Sequence, residues 1–171
     1  MNVSELLKKA TRLKKEKKLE EAIHVLEEAY SNGVYESPSE FSNDSQSDDF
    51  DKLITLKDLV RKAKYLQELG KFNDSISYLD SLIEKISLKA NYSFWEIDEL
   101  SELHNHKAII FKKEKKYLFE FIERMKSYCL NGISATLKSK SKDDFLNERF
   151  KKIQMHYLDN KVIRNFIEKN S

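Results

Sequence analysis

Residues 9–19 read KATRLKKEKKL, and the same frame returns as KAKYLQELGKF at 62–72 and as KAIIFKKEKKY at 107–117. Each copy of this repeat frame has Lys-Ala, two variable residues, a large apolar residue, a four-residue polar stretch, Lys and a second large apolar residue. A small alanine suits a close crossing of two helices, and a short polar stretch suits the turn between them. The repeat frame therefore predicts a series of helical hairpins.

The residues that follow the frame continue with a second helical pattern. In the first copy Ala22, Leu26 and Ala29 give a small residue, a large residue four positions on, and a small residue three further on. In the second copy residues 70–76 read GKFNDSI and lead to Leu79. With these residues in view, the chain resembles the tetratricopeptide repeat family. That resemblance implies an all-α fold, a TPR-like right-handed α-solenoid of three helix pairs.

The third copy departs from the family pattern. Glu120 takes the small position and Arg124 the large one. This unit is therefore either degenerate or slipped by one residue, and we expect neighbouring apolar residues to fill the core there instead, namely Phe121, Ile122, Met125 and Tyr128. The copies also start 53 and 45 residues apart, against about 34 in the family, which places insertions between the units.

The spacing divides a single helical repeat domain, residues 1–171, into five parts. Asn32-Gly33 and Asn131-Gly132 each follow a helical pattern and predict helix stops, while Gly70 predicts the turn between two helices. Apolar residues at helical spacing near the C-terminus predict helices that cap the last unit. The predicted parts are unit one at 3–33, an acidic loop at 34–51, unit two at 52–88, unit three at 94–132 and C-terminal capping helices at 143–169.

Charge is balanced in number but separated along the chain. The 31 Lys+Arg and 29 Asp+Glu residues give a net charge of +2. Bases outnumber acids seven to three in 107–137 and nine to five in 138–171. The acidic loop, by contrast, holds six acids and no base: Glu36, Glu40, Asp44, Asp48, Asp49 and Asp51. Such segregation favours recognition of charged partners, or contact between distant parts of the chain.

The sequence offers no arrangement that specifies a reaction. The three glycines are too far apart for either common phosphate-binding loop. His104 and His106 point in different directions on a helix, and the spacing of Asp98, Glu102 and His106 fits a solvated Glu-His pair better than a metal site. Cys129 has no base in fixed register, which favours a core thiol. We expect no enzyme activity, no cofactor and no metal.

Membrane insertion and secretion also find no support in the sequence. The longest stretch without a charged residue, 127–137, is eleven residues, well below the ~20 apolar residues of a membrane-spanning helix. The N-terminal residues lack the apolar core of a signal peptide, and a single cysteine suits a reducing compartment. We expect a cytoplasmic protein, and the sequence does not choose between a monomer and a weak dimer.

The family resemblance implies a concave groove lined by the first helix of each unit. Bases predominate in the first two units, which suits an acidic protein segment, although lysines on helices also serve simply to keep a protein soluble. Carried over position by position, the groove residues are Leu7, Lys8, Thr11, Lys14 and Lys15; Lys57, Val60, Arg61, Lys64 and Gln67; and Glu102, Asn105, His106, Ile109 and Lys112.

From these features we predict a non-catalytic protein-binding module that captures a segment of a partner protein in a basic helical groove. The alternative is a dedicated neutraliser or chaperone of one partner, such as a toxin-immunity protein or a secretion chaperone. Nucleic acid is disfavoured because Glu16 and Glu114 interrupt the basic runs and the nearby aromatics occupy core positions. A further hypothesis places the acidic loop over the groove as an internal mimic of the ligand.

Overall fold

The structure is a computed structural model that describes residues 2–35, 52–88 and 94–137. The predicted all-α class is confirmed, since helices dominate these ranges. They are α1 (Val3–Lys15), α2 (Leu19–Asn32), α3 (Leu56–Glu68), α4 (Phe72–Ser87), α5 (Phe94–Lys113) and α6 (Tyr117–Leu137), with two short strands, β1 (Val34–Tyr35) and β2 (Leu53–Ile54). The predicted acidic loop, 34–51, begins with the two residues of β1, and its remaining residues 36–51 lie outside the described residues. The capping helices predicted at 143–169 also lie outside them.

The chain forms two compact units that meet in sequence between Leu82 and Ile83. The first unit contains α1, α2, the two strands, α3 and most of α4. The second contains α5 and α6, which pack against each other along their length. Each repeat frame joins two successive helices, so the frames lie in the hairpins α1–α2, α3–α4 and α5–α6.

Each frame ends its first helix with the same left-handed turn. The residue before the frame's second lysine has a positive φ in all three hairpins: 62° at Lys17, 74° at Gly70 and 59° at Lys115. The amide of that lysine then donates to the carbonyl of the frame's large apolar residue, five positions back. These bonds are Lys18 to Leu13 at 3.0 Å, Lys71 to Leu66 at 2.9 Å and Lys116 to Phe111 at 2.9 Å. They define a Schellman motif, and Gly70 is a turn glycine as predicted.

The first helices of the two hairpins in the first unit start at strong caps. The Asn2 side chain accepts from the Glu5 amide at 2.8 Å, and the Glu5 carboxylate accepts from the Asn2 amide at 3.1 Å. Thr55 and Asp58 make the same reciprocal pair at the start of α3. Because each box satisfies two backbone amides that the helix leaves unpaired, local sequence is enough to set where these helices begin.

Gly33 ends α2 as predicted, but through extended backbone, with φ −105° and ψ 167°. The chain then pairs β1 with β2 in parallel, Val34 opposite Leu53 and Tyr35 opposite Ile54. A Cβ on Gly33 would collide with the buried side chain of Ile54 and lie 2.9 Å from the carbonyl oxygen of Lys52. Only glycine therefore fits at position 33, because the Ile54 side chain and the Lys52 carbonyl approach its backbone too closely for a Cβ. The strand pair, which the sequence did not predict, joins the chain on either side of the acidic segment.

The prediction that Gly132 stops a helix is wrong. The helix α6 continues to Leu137, and Gly132 is buried within it. An Asn-Gly pair ends a helix only when the glycine turns into the left-handed region or the next residues cannot stay helical. Residues 133–137 contain no proline or further glycine, so the helix continues at the modest cost of one interior glycine.

The shared turn gives a direct test in the free energy of unfolding. Gly70→Ala should lower the free energy of unfolding by about 1 kcal/mol, because the left-handed backbone is strained for alanine. A steric clash does not add to this cost, since a Cβ at this position meets nothing within 4 Å. Lys17→Gly should raise it by about 0.5 kcal/mol, since glycine relieves the same strain at some entropic cost. Urea denaturation measures both changes. Equal stability of the wild type and Gly70→Ala would contradict the strain argument.

Candidate functional site

The first unit has an apolar core with small residues where its helices cross. Ala10, Ala22 and Ala63 are fully buried. The hydroxyl of Ser75, which occupies the frame position of Ala22, donates to the Ala63 carbonyl at 2.9 Å. That bond brings α4 directly against the backbone of α3, so the frame's small residues do allow the close crossing that the sequence predicted.

Two half-buried tyrosines hold the first turns of α3 through hydrogen bonds to its backbone. The Tyr30 hydroxyl donates to the Asp58 carbonyl at 2.6 Å, and the Tyr78 hydroxyl donates to the Leu59 carbonyl at 3.2 Å. Burial raises the pKa of both phenols well above the ordinary value. Both side chains are therefore neutral donors near neutral pH, holding α2 and α4 on either side of α3.

In the second and third copies, the frame's first lysine pairs with a carboxylate of a neighbouring helix. Lys62 Nζ lies 2.7 Å from Glu27 Oε1 and 4.8 Å from the centre of the Tyr78 ring. The hydrogen bond from Lys62 lowers the pKa of Glu27. In the second unit, Lys107 takes the same frame position, with its Nζ 3.4 Å from Glu123 Oε1. This lysine is thus a structural member of the repeat frame in both units.

Side chains of α1 and α3 meet along one side of the first unit. Arg61 donates to the Thr11 hydroxyl at 3.3 Å and pairs with Asp58 at 3.0 Å. Lys14 pairs with Glu68 at 2.6 Å. These contacts place the exposed side of α1 beside the exposed side of α3. The carboxylates of Asp58 and Glu68 are already paired in these contacts.

Four lysines flank this line of contacts without an ion pair. Lys8 and Lys15 on α1, and Lys57 and Lys64 on α3, are all exposed, and none has a carboxylate partner within the described part of the chain. Of the groove residues predicted here, Lys8, Thr11, Lys15 and Lys64 are exposed and Arg61 is partly so. Gln67, in contrast, is buried. We call the four lysines with Arg61 and Thr11 the basic face.

The second unit keeps buried apolar residues on α5, but it places a polar network at two frame positions that are apolar in the first unit. His104 stands where the first two hairpins have Leu6 and Leu59, and Arg124 stands where they have Leu26 and Leu79. Arg124 donates to Glu120 at 3.2 Å and to the Asn105 side chain at 2.9 Å. Closer to the C-terminal end of α6, the Ser101 hydroxyl of α5 donates to the Ser127 carbonyl at 2.9 Å.

Glu123 is the most strongly bonded carboxylate of this network. His104 Nδ1 lies 2.6 Å from its Oε2, and Lys126 donates to its Oε1 at 2.9 Å. Burial alone would raise the pKa of Glu123, but these bonds and the charge of Lys107 outweigh burial and lower the pKa to about 2. The carboxylate is therefore ionised at neutral pH and accepts only, so His104 must carry its proton on Nδ1.

The expected apolar filling of this core is consequently wrong in part. Glu120 keeps the small-residue position and is buried, while Ile122 is exposed; Phe121, Met125 and Tyr128 are half-buried. The third copy is not slipped along the helix, because the Glu120 amide bonds to Lys116 as the Ala22 amide bonds to Lys18. A buried carboxylate is tolerated here because Arg124 supplies the charge and the hydrogen bond that it needs.

The groove residues predicted in the second unit do not form one open surface. Asn105 is bonded to Arg124 within the network. His106 is largely buried and lies 3.5 Å from Glu102, the Glu-His pair that the spacing predicted. Ile109 is half-buried, and of the five groove residues predicted in this unit only Glu102 and Lys112 are exposed. The family resemblance placed all five on one face, and it carried no information on the polar partners that α6 supplies to α5.

The prediction that Cys129 is a core thiol is also wrong, since the residue is exposed. Its neighbours Tyr128 and Leu130 are half-buried, so the helix turns the thiol outward between them. The sequence prediction placed Cys129 in the core because its neighbours in sequence are apolar. Successive residues on a helix point about 100° apart, so the neighbours of an exposed residue can be half-buried.

In the part of the chain that the structure describes, no group of three or more His, Cys, Asp or Glu side chains is placed to hold a metal ion. Across residues 2–35, 52–88 and 94–137, every buried side-chain nitrogen and oxygen has a hydrogen-bond partner. None of the six described helices is long and apolar enough to span a bilayer.

Comparison of the chain with protein-family models, with curated proteins and with solved structures finds no match. The resemblance to tetratricopeptide repeats therefore stays a prediction based on the frame. The functional argument depends on the side chains themselves.

The pKa of Glu123 predicts how this network responds to acid. A carboxylate whose pKa falls from 4.5 to about 2 on folding stabilises the protein above pH 4.5, and this contribution is lost as pH falls towards 2. The difference in unfolding free energy between the wild type and Glu123→Gln should therefore shrink from pH 5 to pH 2. Urea denaturation at several pH values measures it, with Glu28→Gln on an exposed carboxylate as control. A constant difference would contradict the assignment.

A double-mutant cycle tests the His104–Glu123 pair. His104→Leu alone should cost about 2 kcal/mol, because it leaves a buried carboxylate short of a donor. Combining it with Glu123→Val, which restores the residue type of Val25 at the same frame position, should cost less than the sum of the single changes by at least about 1 kcal/mol. Additive losses of unfolding free energy would show that the two side chains are not coupled.

Proposed function

We propose that this chain is a non-catalytic protein-binding module whose basic face captures an acidic segment of a partner protein. The observation that carries the proposal is the state of the charges on α1 and α3. Glu68 and Asp58 are already paired with Lys14 and Arg61, while the flanking lysines of the basic face have no carboxylate partner among the described residues. The surface therefore presents excess positive charge to an incoming ligand.

The arrangement suits an extended or helical protein segment. The lysines stand on two adjacent helices that Arg61 and Lys14 hold in register, so their spacing is set before a partner arrives. Preorganised charges give faster association and clearer discrimination against basic partners than flexible ones do.

Two finer predictions remain part of this proposal. The TPR-like right-handed solenoid of three helix pairs rests on the shared repeat frame and on the turn that all three hairpins have in common. The role of dedicated neutraliser or secretion chaperone stays the alternative to a general adaptor. Capture of an acidic segment by the basic face is common to both roles.

Binding of a defined probe tests the proposal. A fluorescein-labelled 16-residue peptide that alternates Glu with Gly and Ser should bind the full chain with an affinity that falls steeply with salt. Lys8→Gln and Lys64→Gln should each weaken binding by about two- to fivefold, consistent with exposed charge pairs of 0.2–1 kcal/mol. Fluorescence anisotropy at several salt concentrations measures these effects.

The matched control is Lys17→Gln, which removes one exposed positive charge from the turn between α1 and α2. Lys17 is not part of the basic face, so its loss should leave affinity within about 1.5-fold, as expected of an exposed charge outside the contact. Equal weakening by Lys17→Gln and Lys64→Gln would show that the peptide senses net charge alone. That result would overturn the assignment of the basic face.

A further inference from the structure

Helix α6 carries apolar residues on the side where α2, its counterpart in the first hairpin, meets the helix that follows it. In the first unit Tyr30 and Glu27 of α2 contact α3 by hydrogen bonds. Counted from the second lysine of each repeat frame, the same two positions are Tyr128 and Met125 in α6. Both side chains are half-buried. The arrangement of the first unit therefore assigns a corresponding place on α6 to the segment that follows it in sequence.

The apolar side of α6 is wider than the matching side of α2. With about 100° between successive residues, eight residues of α6 fall within an arc of about 140°: Leu118, Phe121, Ile122, Met125, Tyr128, Cys129, Gly132 and Ile133. At three of these positions α2 has exposed polar residues, Glu20, His24 and Ser31, where α6 has Leu118, Ile122 and Cys129. Leu118 is 43% exposed and Ile122 39%. Exposed apolar side chains at positions where α2 is polar indicate a cover that α2 does not need.

The segment that follows α6 has a matching apolar pattern. Residues 143–158 read DDFLNERFKKIQMHYL. On a helix, four of their apolar residues fall within an arc of about 60°: Leu146, Phe150, Ile153 and Tyr157. The same spacing of four, three and four residues separates Phe121, Met125, Tyr128 and Gly132 on α6. Residues 143–158 hold three acids and three bases, so net charge neither favours nor opposes their contact with α6.

The connection to α6 is short enough to set the direction of this segment. Residues 138–142 are all that separates Leu137, where α6 ends, from residue 143. Helices joined by two to eight residues commonly lie side by side and antiparallel. Such a tether also raises the effective concentration of the segment to about the millimolar range. A second copy or an outside protein would have to compete with it for the same surface.

We infer that residues 143–158 form a helix that lies antiparallel along α6 and turns Leu146, Phe150 and Ile153 towards its apolar side, as α3 follows and covers α2 in the first unit. The occupant of this side of α6 is thus a segment of the same chain, and the predicted cap has a defined surface to cover. The contact lies within the second unit and includes no residue of the basic face, so it does not depend on the proposed function.

The hairpin of α5 and α6 gives the register of this contact. Ser101 and Ser127, which are hydrogen-bonded to each other, lie 14 and 12 residues from the middle of the turn 114–116. Contacting residues of antiparallel neighbours are thus nearly equidistant from the middle of their connection. Cys129 lies 11 residues before the middle of 138–142, and Phe150 lies 10 residues after it. The inferred contact therefore makes Cys129 and Phe150 neighbours.

Disulfide formation in the full chain tests this contact, because Cys129 is the single cysteine. Phe150→Cys should form an intramolecular disulfide with Cys129 in a glutathione redox buffer. The matched control is Lys151→Cys, which has nearly the same tether but points about 100° away on the inferred helix. Because a disulfide needs Cα atoms within about 7 Å, the Phe150→Cys bond should form about tenfold faster than the control bond. Intact mass after alkylation of the remaining thiols measures both rates.

A second variant keeps the test independent of one apolar side chain. Ile153→Cys lies one turn further along the same side of the inferred helix and should also form the bond faster than Lys151→Cys. Circular dichroism checks that each variant folds. Comparable rates for all three variants would overturn the inference, since they would show a segment with no preferred side towards α6. No intramolecular disulfide in either Phe150→Cys or Ile153→Cys would overturn it as well. A disulfide between chains that forms faster as protein concentration rises would replace the segment by a second copy as the occupant.

Discussion

The close crossing of paired helices behind a left-handed turn is the constraint on which the described hairpins depend. The turn residue has a positive φ in all three, whether it is Gly70, Lys17 or Lys115. In every case the bond from the frame's second lysine to the large apolar residue satisfies a carbonyl that the helix end would leave unpaired. Two of the three hairpins accept backbone strain at a lysine to keep this geometry, which shows that the turn matters more than the residue in it.

The same hairpin backbone geometry accommodates different side chains between its two helices. The first unit uses leucine and alanine at the crossing, while the second uses the Arg124–Glu120 and His104–Glu123 pairs at equivalent positions. A buried ion pair is often no more stabilising than an apolar replacement, but it tolerates no missing partner. The polar network therefore fixes which residues of α5 and α6 meet, and it draws both carboxylates of α6 away from the surface.

Burying those carboxylates has a consequence for the surface. Asp58 and Glu68 are paired between helices and Glu120 and Glu123 are buried, while the lysines of the basic face remain exposed in the first unit. A chain with a net charge of only +2 thereby presents a locally basic surface. This segregation supports the proposed binding of acidic protein segments.

The sequence by itself determined the hairpins, because the repeat frame, the capping boxes and Gly70 act through bonds between residues a few positions apart. The family resemblance also picked out the exposed lysines of α1 and α3, although Val60 and Gln67 of the same predicted set are buried. Only the tertiary structure decided that α6 continues through Gly132, that Gly33 faces Ile54, that Cys129 is exposed and that Glu123 is buried with His104. These outcomes depend on which side chains of one helix find partners on another, and spacing along one helix carries no information about the chemistry of its neighbour.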